Sequence, residues 1–342
     1  MISNKHVTFS LYLALCAFAL GLCANACAAT ITTFSAPDSG LAENLGTRAM
    51  SINQAGVVAG WYDNEKGAFG FVRATDGTIT EFDADGTHNT YAVAINDAGT
   101  IAGYAGNSGF VRAAGGTVTL FSSPAGEKYP TLGLGINDAG AVTGYWLDSH
   151  KVAHGFVRAA DGTFTSFDAP GAGSGANLGE GTYAVGINAS GVITGYLSGT
   201  INGTSGTFGF LRASNGTFTI FAVNPSTVPL GINSDGEVTG YWQDNNGLNH
   251  GFVRAADGTL TTFSGNDVDI SSISYSINAA GATTGYINGA GFIRMPGGTV
   301  YPFHVAGNGP IPVSINQSYS VTGYYAVSTS TAFAWHGFVL TQ

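Results

Sequence analysis

Short apolar runs recur along the whole chain, separated by paired turn signals rich in glycine. The stretch 231–263, GINSDGEVTGYWQDNNGLNHGFVRAADGTLTTF, shows the pattern in full. An apolar run ending at Ile232 meets Asn233-Ser-Asp-Gly236. Asparagine suits the first position of a type I turn and glycine accepts positive φ at its end, so the N-x-x-G spacing predicts a hairpin with a glycine bulge. Glu237–Trp242 then alternates as a strand. After a polar loop, Gly251–Arg254 forms a third short strand, Ala256-Asp-Gly-Thr259 a second tight hairpin, and Leu260–Phe263 a fourth strand. Four strands of this size form a sheet with two wet faces and two wet edges, so the unit needs neighbours.

Those neighbours are present. The Ile-Asn turn recurs at Asn53, Asn96, Asn137, Asn188, Asn233, Asn278 and Asn316. The glycine–aromatic strand recurs from Gly60-Trp61 to Gly323-Tyr324, and the phenylalanine of the third strand from Phe71 to Phe338. This blade-sized period predicts an all-β, seven-bladed β-propeller of four-stranded blades over residues 48–82, 91–121, 132–167, 183–221, 228–263, 273–303 and 311–340. The last repeat stops after its third strand, while Ile31–Phe34 matches a fourth strand with nothing before it. Strand 31–34 is therefore expected to complete the last blade, close the ring and cover the edges an open array would expose.

The first 29 residues read as an export signal: Lys5 and His6, an apolar run from Val7 to Leu22, then small residues with an A-x-A cleavage pattern. The domain boundaries are thus 1–29 for the signal and 30–342 for the propeller, with a secreted, periplasmic or cell-surface location. Cys16, Cys23 and Cys27 all lie in the signal, which leaves the exported chain without cysteine. Neither Cys23 nor Cys27 has the full residue context of a lipid-anchoring box. No other apolar stretch reaches transmembrane length. A formal charge of −10 with 11 Lys and Arg argues against nucleic-acid or anionic-membrane binding. The 52 glycines and 9% charged residues fit many short strands rather than long helices.

The repeat G-I-N-x-x-G-x-V-x-G-Y followed by H-G-F-V-R resembles the bacterial extracellular repeat proteins of the HAF family. Here the tripeptide reads His154-Gly-Phe156, His250-Gly-Phe252 and His336-Gly-Phe338, with glycine in place of the family's alanine and with four units lacking the histidine. The resemblance spans all seven units and implies export. It brings no activity and no site residues.

With strands running from axis to rim, both tight turns share one face and the long, unequal connections share the other. Variable loops on a rigid frame are where binding concentrates. Units one, three, five and seven carry a second aromatic beside that face, which makes Trp61, Tyr62, Trp146, Trp242, Tyr325 and Trp335 candidates for stacking on sugar rings, with His88, His150 and His304 as polar partners. The competing reading packs these rings between blades. His154, His250 and His336 occupy one repeated position in separate blades, a poor arrangement for a shared metal. The arginines Arg73, Arg112, Arg158, Arg212, Arg254 and Arg294 that end the third strands are expected to bond turn carbonyls or the turn Asp of units one, three and five. Asp63-Asn-Glu and Asp244-Asn-Asn lack calcium-loop spacing. Catalysis would need His88, His150, His304, Glu127 and Glu180 to converge from different loops, and no known catalytic motif is present.

The expected function is a non-enzymatic extracellular binding module for carbohydrate or a cell-surface polymer, acting as a monomer without metal or cofactor. A polysaccharide lyase or hydrolase at the funnel and a protein-interaction scaffold are the alternatives.

Overall fold

The computed structural model describes residues 29–40, 42–126, 128–175, 179–264, 271–306, 309–328 and 333–342. Residues 1–28 of the expected export signal, with its three cysteines, and Glu127 lie outside them. Among the described residues there are twenty-eight strands, from Thr30–Phe34 to Phe333–Thr341. No helix of the described residues is long and apolar enough to cross a membrane.

Each sequence repeat folds as four antiparallel strands joined by the two short hairpins. In the repeat read first above, Thr227–Ile232, Val238–Gln243, Asn249–Arg254 and Leu260–Phe263 pair in that order. The Asn233 side chain nucleates its turn by accepting hydrogen bonds from the amides of Asp235 and Glu237. Gly236 closes the turn at φ +83°. In the last repeat Tyr319 takes that left-handed position at φ +58°.

The first strands of the repeats lie innermost. Each contacts the first strand of the next repeat, and Pro310–Ile315 returns to Gly46–Ile52, so together they encircle an axis. Two laces hold them. Every turn asparagine is buried and donates its Nδ2–H to the carbonyl of the next turn asparagine: Asn53 to Asn96, Asn96 to Asn137, Asn137 to Asn188, Asn188 to Asn233, Asn233 to Asn278, Asn278 to Asn316, and Asn316 back to Asn53, at 3.0–3.2 Å. The residue before each Ile-Asn is always small. Where it is serine, its Oγ accepts the Ile amide of the next repeat, as Ser51 does from Ile95 at 3.3 Å and Ser314 from Ile52 at 3.2 Å.

The core repeats as well. The third-strand phenylalanines from Phe71 to Phe338 are fully buried. Each meets, edge to face, the fourth-strand phenylalanine of the preceding repeat, from Phe34–Phe71 at 5.9 Å to Phe303–Phe338 at 6.0 Å. The six repeated arginines bond the carbonyl just after them, as expected, at 3.2–3.5 Å. Each guanidinium also lies 4.6–5.1 Å over that preceding phenylalanine, a cation–π contact across the repeat boundary.

The chain ends share one sheet. Thr30–Phe34 runs antiparallel to Phe333–Thr341, with Ile31 opposite Leu340 and Thr33 opposite Phe338. Phe34 packs over Gly337 as the other fourth-strand phenylalanines pack over third-strand glycines. The N-terminal strand thus supplies the element the last repeat lacks and covers an edge that would otherwise recruit other strands.

Candidate functional site

A β-bulge sits in every first strand. The pairing register skips Met50, Val93, Leu134, Val185, Leu230, Tyr275 and Val313. Bulges re-aim the side chains beside them, and these seven residues are half-buried next to the axis. The bulge also brings a carbonyl so close that the facing second-strand residue must be glycine: a Cβ on Gly60 would overlap the Arg48 carbonyl, and one on Gly144 that of Leu132. This accounts for the glycine in the repeated glycine–aromatic pair.

The aromatic after that glycine, with its partner on the first strand, forms a collar around the axis. Arg48 lies some five residues from the Asn53 turn, about 16 Å along a strand, so the collar stands at the end opposite the asparagine ring. Ring contacts trace two arcs of it. The Arg48 guanidinium lies 4.4 Å over Trp61. Trp61 meets Tyr91 edge-on at 4.9 Å, and Tyr91 stacks on Tyr104 at 4.8 Å. Tyr145 meets Tyr183 at 4.9 Å, and Tyr183 stacks on Tyr196 at 4.8 Å. Tyr241 and Tyr275 stand on the two repeats between the arcs. Tyr324 meets Trp335 at 5.3 Å, and Trp335 lies 5.3 Å from the Arg48 guanidinium.

The collar is neutral. Arg48 is paired with Asp63 at 3.0 Å. Burial pushes the phenols up: Tyr104 and Tyr275 to about 12, and Tyr145, Tyr183, Tyr196, Tyr241 and Tyr324 in the same direction. They remain protonated hydrogen-bonding groups at physiological pH.

The second aromatics of the odd repeats take cross-strand partners. Trp146 stacks on His154 at 4.4 Å and Trp242 on His250 at 4.5 Å, while Tyr325 tilts against His336 and Tyr62 stacks on Phe69 at 5.3 Å. Tyr62 and Tyr325 are buried, at 3% and 5% exposure, so neither presents a ring face to solute. Among the sequence-derived stacking candidates, Trp61 and Trp335 enter the collar. Trp146 and Trp242 remain half-buried beside their histidines.

The polar candidates stay apart. His88 is held by Asp83 at 2.7 Å and by the ring of Phe69. His150 lies 3.6 Å from Asp148. His304 is exposed on a third segment. Glu180 accepts a hydrogen bond from the Gly175 amide. Among the described residues no three His, Cys, Asp or Glu side chains gather as metal ligands. The Asp63 carboxylate accepts from the Gly46 amide, and Asp244 accepts from the amides of Asn246 and Leu248. The arrangement with the most chemical potential is a short chain: His154 Nδ1 sits 2.9 Å from Asp168 and its Nε2 3.8 Å from Asp148.

Sequence reading missed the first-strand members of the collar, Tyr91, Tyr183 and Tyr275. For Tyr275 the available signal was the fixed apolar–small–Ile–Asn spacing, which places it at the bulge; Tyr91 and Tyr183 stand in register opposite Tyr104 and Tyr196.

No protein-family model and no curated protein matches the chain. Solved structures do resemble it. One is a streptogramin B lyase, at 14% identity over 92% of this chain and 98% of that one, with a TM-score of 0.58. Another is a catalytically inactive virginiamycin B lyase from Staphylococcus aureus with quinupristin, at 13% identity over 92% and 99%, with a TM-score of 0.61. At such identities the likeness concerns the fold, which is all-β and propeller-like.

Proposed function

We propose that the chain is a secreted, seven-bladed β-propeller of the HAF-repeat kind that binds a neutral glycan or similar cell-surface polymer without transforming it. The blade count is supported by the seven-member asparagine ladder and the seven first strands around the axis. The binding reading is carried by one observation, the collar of Trp and Tyr rings at the end opposite that ladder. Its ring faces suit the apolar C–H surfaces of sugars, its phenols can exchange hydrogen bonds with sugar hydroxyls, and its only cation is already neutralised by Asp63. A glycan array with the chain from Ala29 onward tests this reading. Binding to neutral polysaccharides is expected to fall about five- to thirty-fold in Tyr145→Ala, since a lost ring platform costs on the order of 1–2 kcal/mol. No binding across the array sinks the proposal.

The Asp168–His154–Asp148 chain favours a second reading, a lyase or hydrolase acting on polysaccharide. The resembling solved proteins are named as lyases, but their likeness extends to the fold and carries no chemistry over. New reducing ends or unsaturated products after incubation with polysaccharide, lost in His154→Ala, would establish the enzyme; their absence with binding intact leaves the binding module.

A further inference from the structure

At the junction of the fourth and fifth repeats lies an open pocket of about 250 Å³ lined by Thr207, Ser226, Val228, Tyr241, Gln243 and Asn249. Thr207 and Ser226 form a parallel bridge there. Tyr241 belongs to the collar, so cavity and collar share a wall.

The lining selects its occupant. None of the six residues carries a charge, and an ion desolvated here would find no counter-charge, which disfavours uronic acids, phosphates and amines. The hydroxyls and carboxamides disfavour a purely apolar solute, whose entry would strip them of water without replacing the hydrogen bonds. The Oγ of Ser226, the Oγ1 of Thr207 and the Nδ2 of Asn249 make no hydrogen bond to another described residue, so they are available to a ligand. Gln243 Nε2 is engaged by the Gly247 carbonyl at 3.2 Å, which fixes its carboxamide. Tyr241 and Val228 add apolar surface. The volume falls below the range of about 300–1,000 Å³ typical of drug-sized ligands and suits one small ring, while the pocket's open side leaves room for the rest of a polymer.

We infer that this cavity is a subsite for one neutral pyranose ring of a glycan, with Tyr241 against its C–H face and Thr207, Ser226 and Asn249 bonding its hydroxyls. The inference rests on the carbohydrate reading above and adds a location and a charge preference to it.

The chain from Ala29 onward is titrated with D-glucose, D-galactose and D-mannose, and with D-glucuronate as the charged control, by saturation-transfer NMR and calorimetry. At least one neutral hexose is expected to bind at millimolar concentration and glucuronate to bind more weakly. Thr207→Val and Asn249→Ala should each weaken the hexose about three- to ten-fold, the equivalent of one hydrogen bond. Leu120→Ser, exposed on an outer strand far from the cavity, should leave it unchanged. Circular dichroism checks that each variant is folded. Hexose binding that ignores both cavity variants, or glucuronate binding as tightly as hexose, overturns the subsite. Polymer binding with hexoses silent overturns the subsite and leaves the collar reading standing. If no polymer binds either, both readings fall.

Discussion

Asn137→Asp separates two roles that the turn asparagines combine. Asn137 Oδ1 accepts the Ala141 amide at 2.9 Å, which shapes the turn, and its Nδ2–H donates to the Asn188 carbonyl at 3.0 Å, which ties one repeat to the next. Aspartate keeps the first bond and loses the second. If the residue served only its turn, the substitution would be nearly silent, because aspartate is an equally good turn former. In the ring, a carboxylate oxygen faces a carbonyl oxygen at a position only 7% exposed. An unpaired buried carbonyl costs about 1–3 kcal/mol. Raising the buried carboxyl by about two pKa units costs a further ~2.7 kcal/mol at neutral pH. These overlap, and the net expected loss is about 3 kcal/mol at pH 7. The sign with pH follows: a carboxyl whose folded pKa lies above its unfolded value of about 3.9 is bound more tightly as the acid in the native state. Protonated, it can again donate to the Asn188 carbonyl. The deficit against the parent should therefore shrink towards pH 4 and grow as pH rises to the folded pKa. Urea unfolding of both proteins across pH 4–8, read as midpoint shifts at constant m, measures it. A deficit under about 1 kcal/mol, or one independent of pH, would refute the ring bond.

Other outcomes follow from the same geometry. Removing residues 30–34 strips Phe34 from Phe71, Arg73 and Gly337, so differential scanning calorimetry should show the melting temperature lowered by at least about 5 °C; light scattering should show association through the bared edge, and an unchanged monomer would contradict closure. Gly155→Ala drives a Cβ into the Phe167 ring and should cost about 1–3 kcal/mol in urea unfolding, whereas Gly115→Ala, with nothing within 4 Å, should be near neutral. Absorbance titration of the collar phenols should place Tyr104 and Tyr275 near 12 rather than the usual ~10. Because the folded values are raised, the stability they contribute is full below pH ~10 and declines as pH climbs through the folded values, so unfolding monitored from pH 9 to 12 should weaken only above about pH 10.

Much of this architecture was legible because repetition amplifies weak local signals. The N-x-x-G turns, the glycine–aromatic strands and the split last repeat each carry a physical reason that survives without neighbours, and the pairing of Ile31 with Leu340 follows from them. Pairwise partners across repeats were not legible. Arg73 over Phe34 and Asn316 bonded to the Asn53 carbonyl depend on how sheets face one another, which periodicity alone does not specify. The same limit applies to the site. Trp61 and Trp335 lie by the axis, yet Tyr62 and Tyr325, chosen on the same aromatic pattern, are buried. Alternation assigns residues 61 and 62 to opposite sheet faces but does not tell which face meets the axis.

The joining of the chain ends is tested most directly by a disulfide across them. Thr30 and Thr341 are exposed and directly opposed in the antiparallel register. In the chain from Ala29 onward, which holds no cysteine, the double variant Thr30→Cys/Thr341→Cys should oxidise in air to an intramolecular bond. Mass spectrometry and non-reducing gels would detect it, and urea present during oxidation should suppress it. Free thiols under native conditions, or only intermolecular bonds, would mean that the two ends do not share a sheet, and the ring, its axis and the collar around it would fall together.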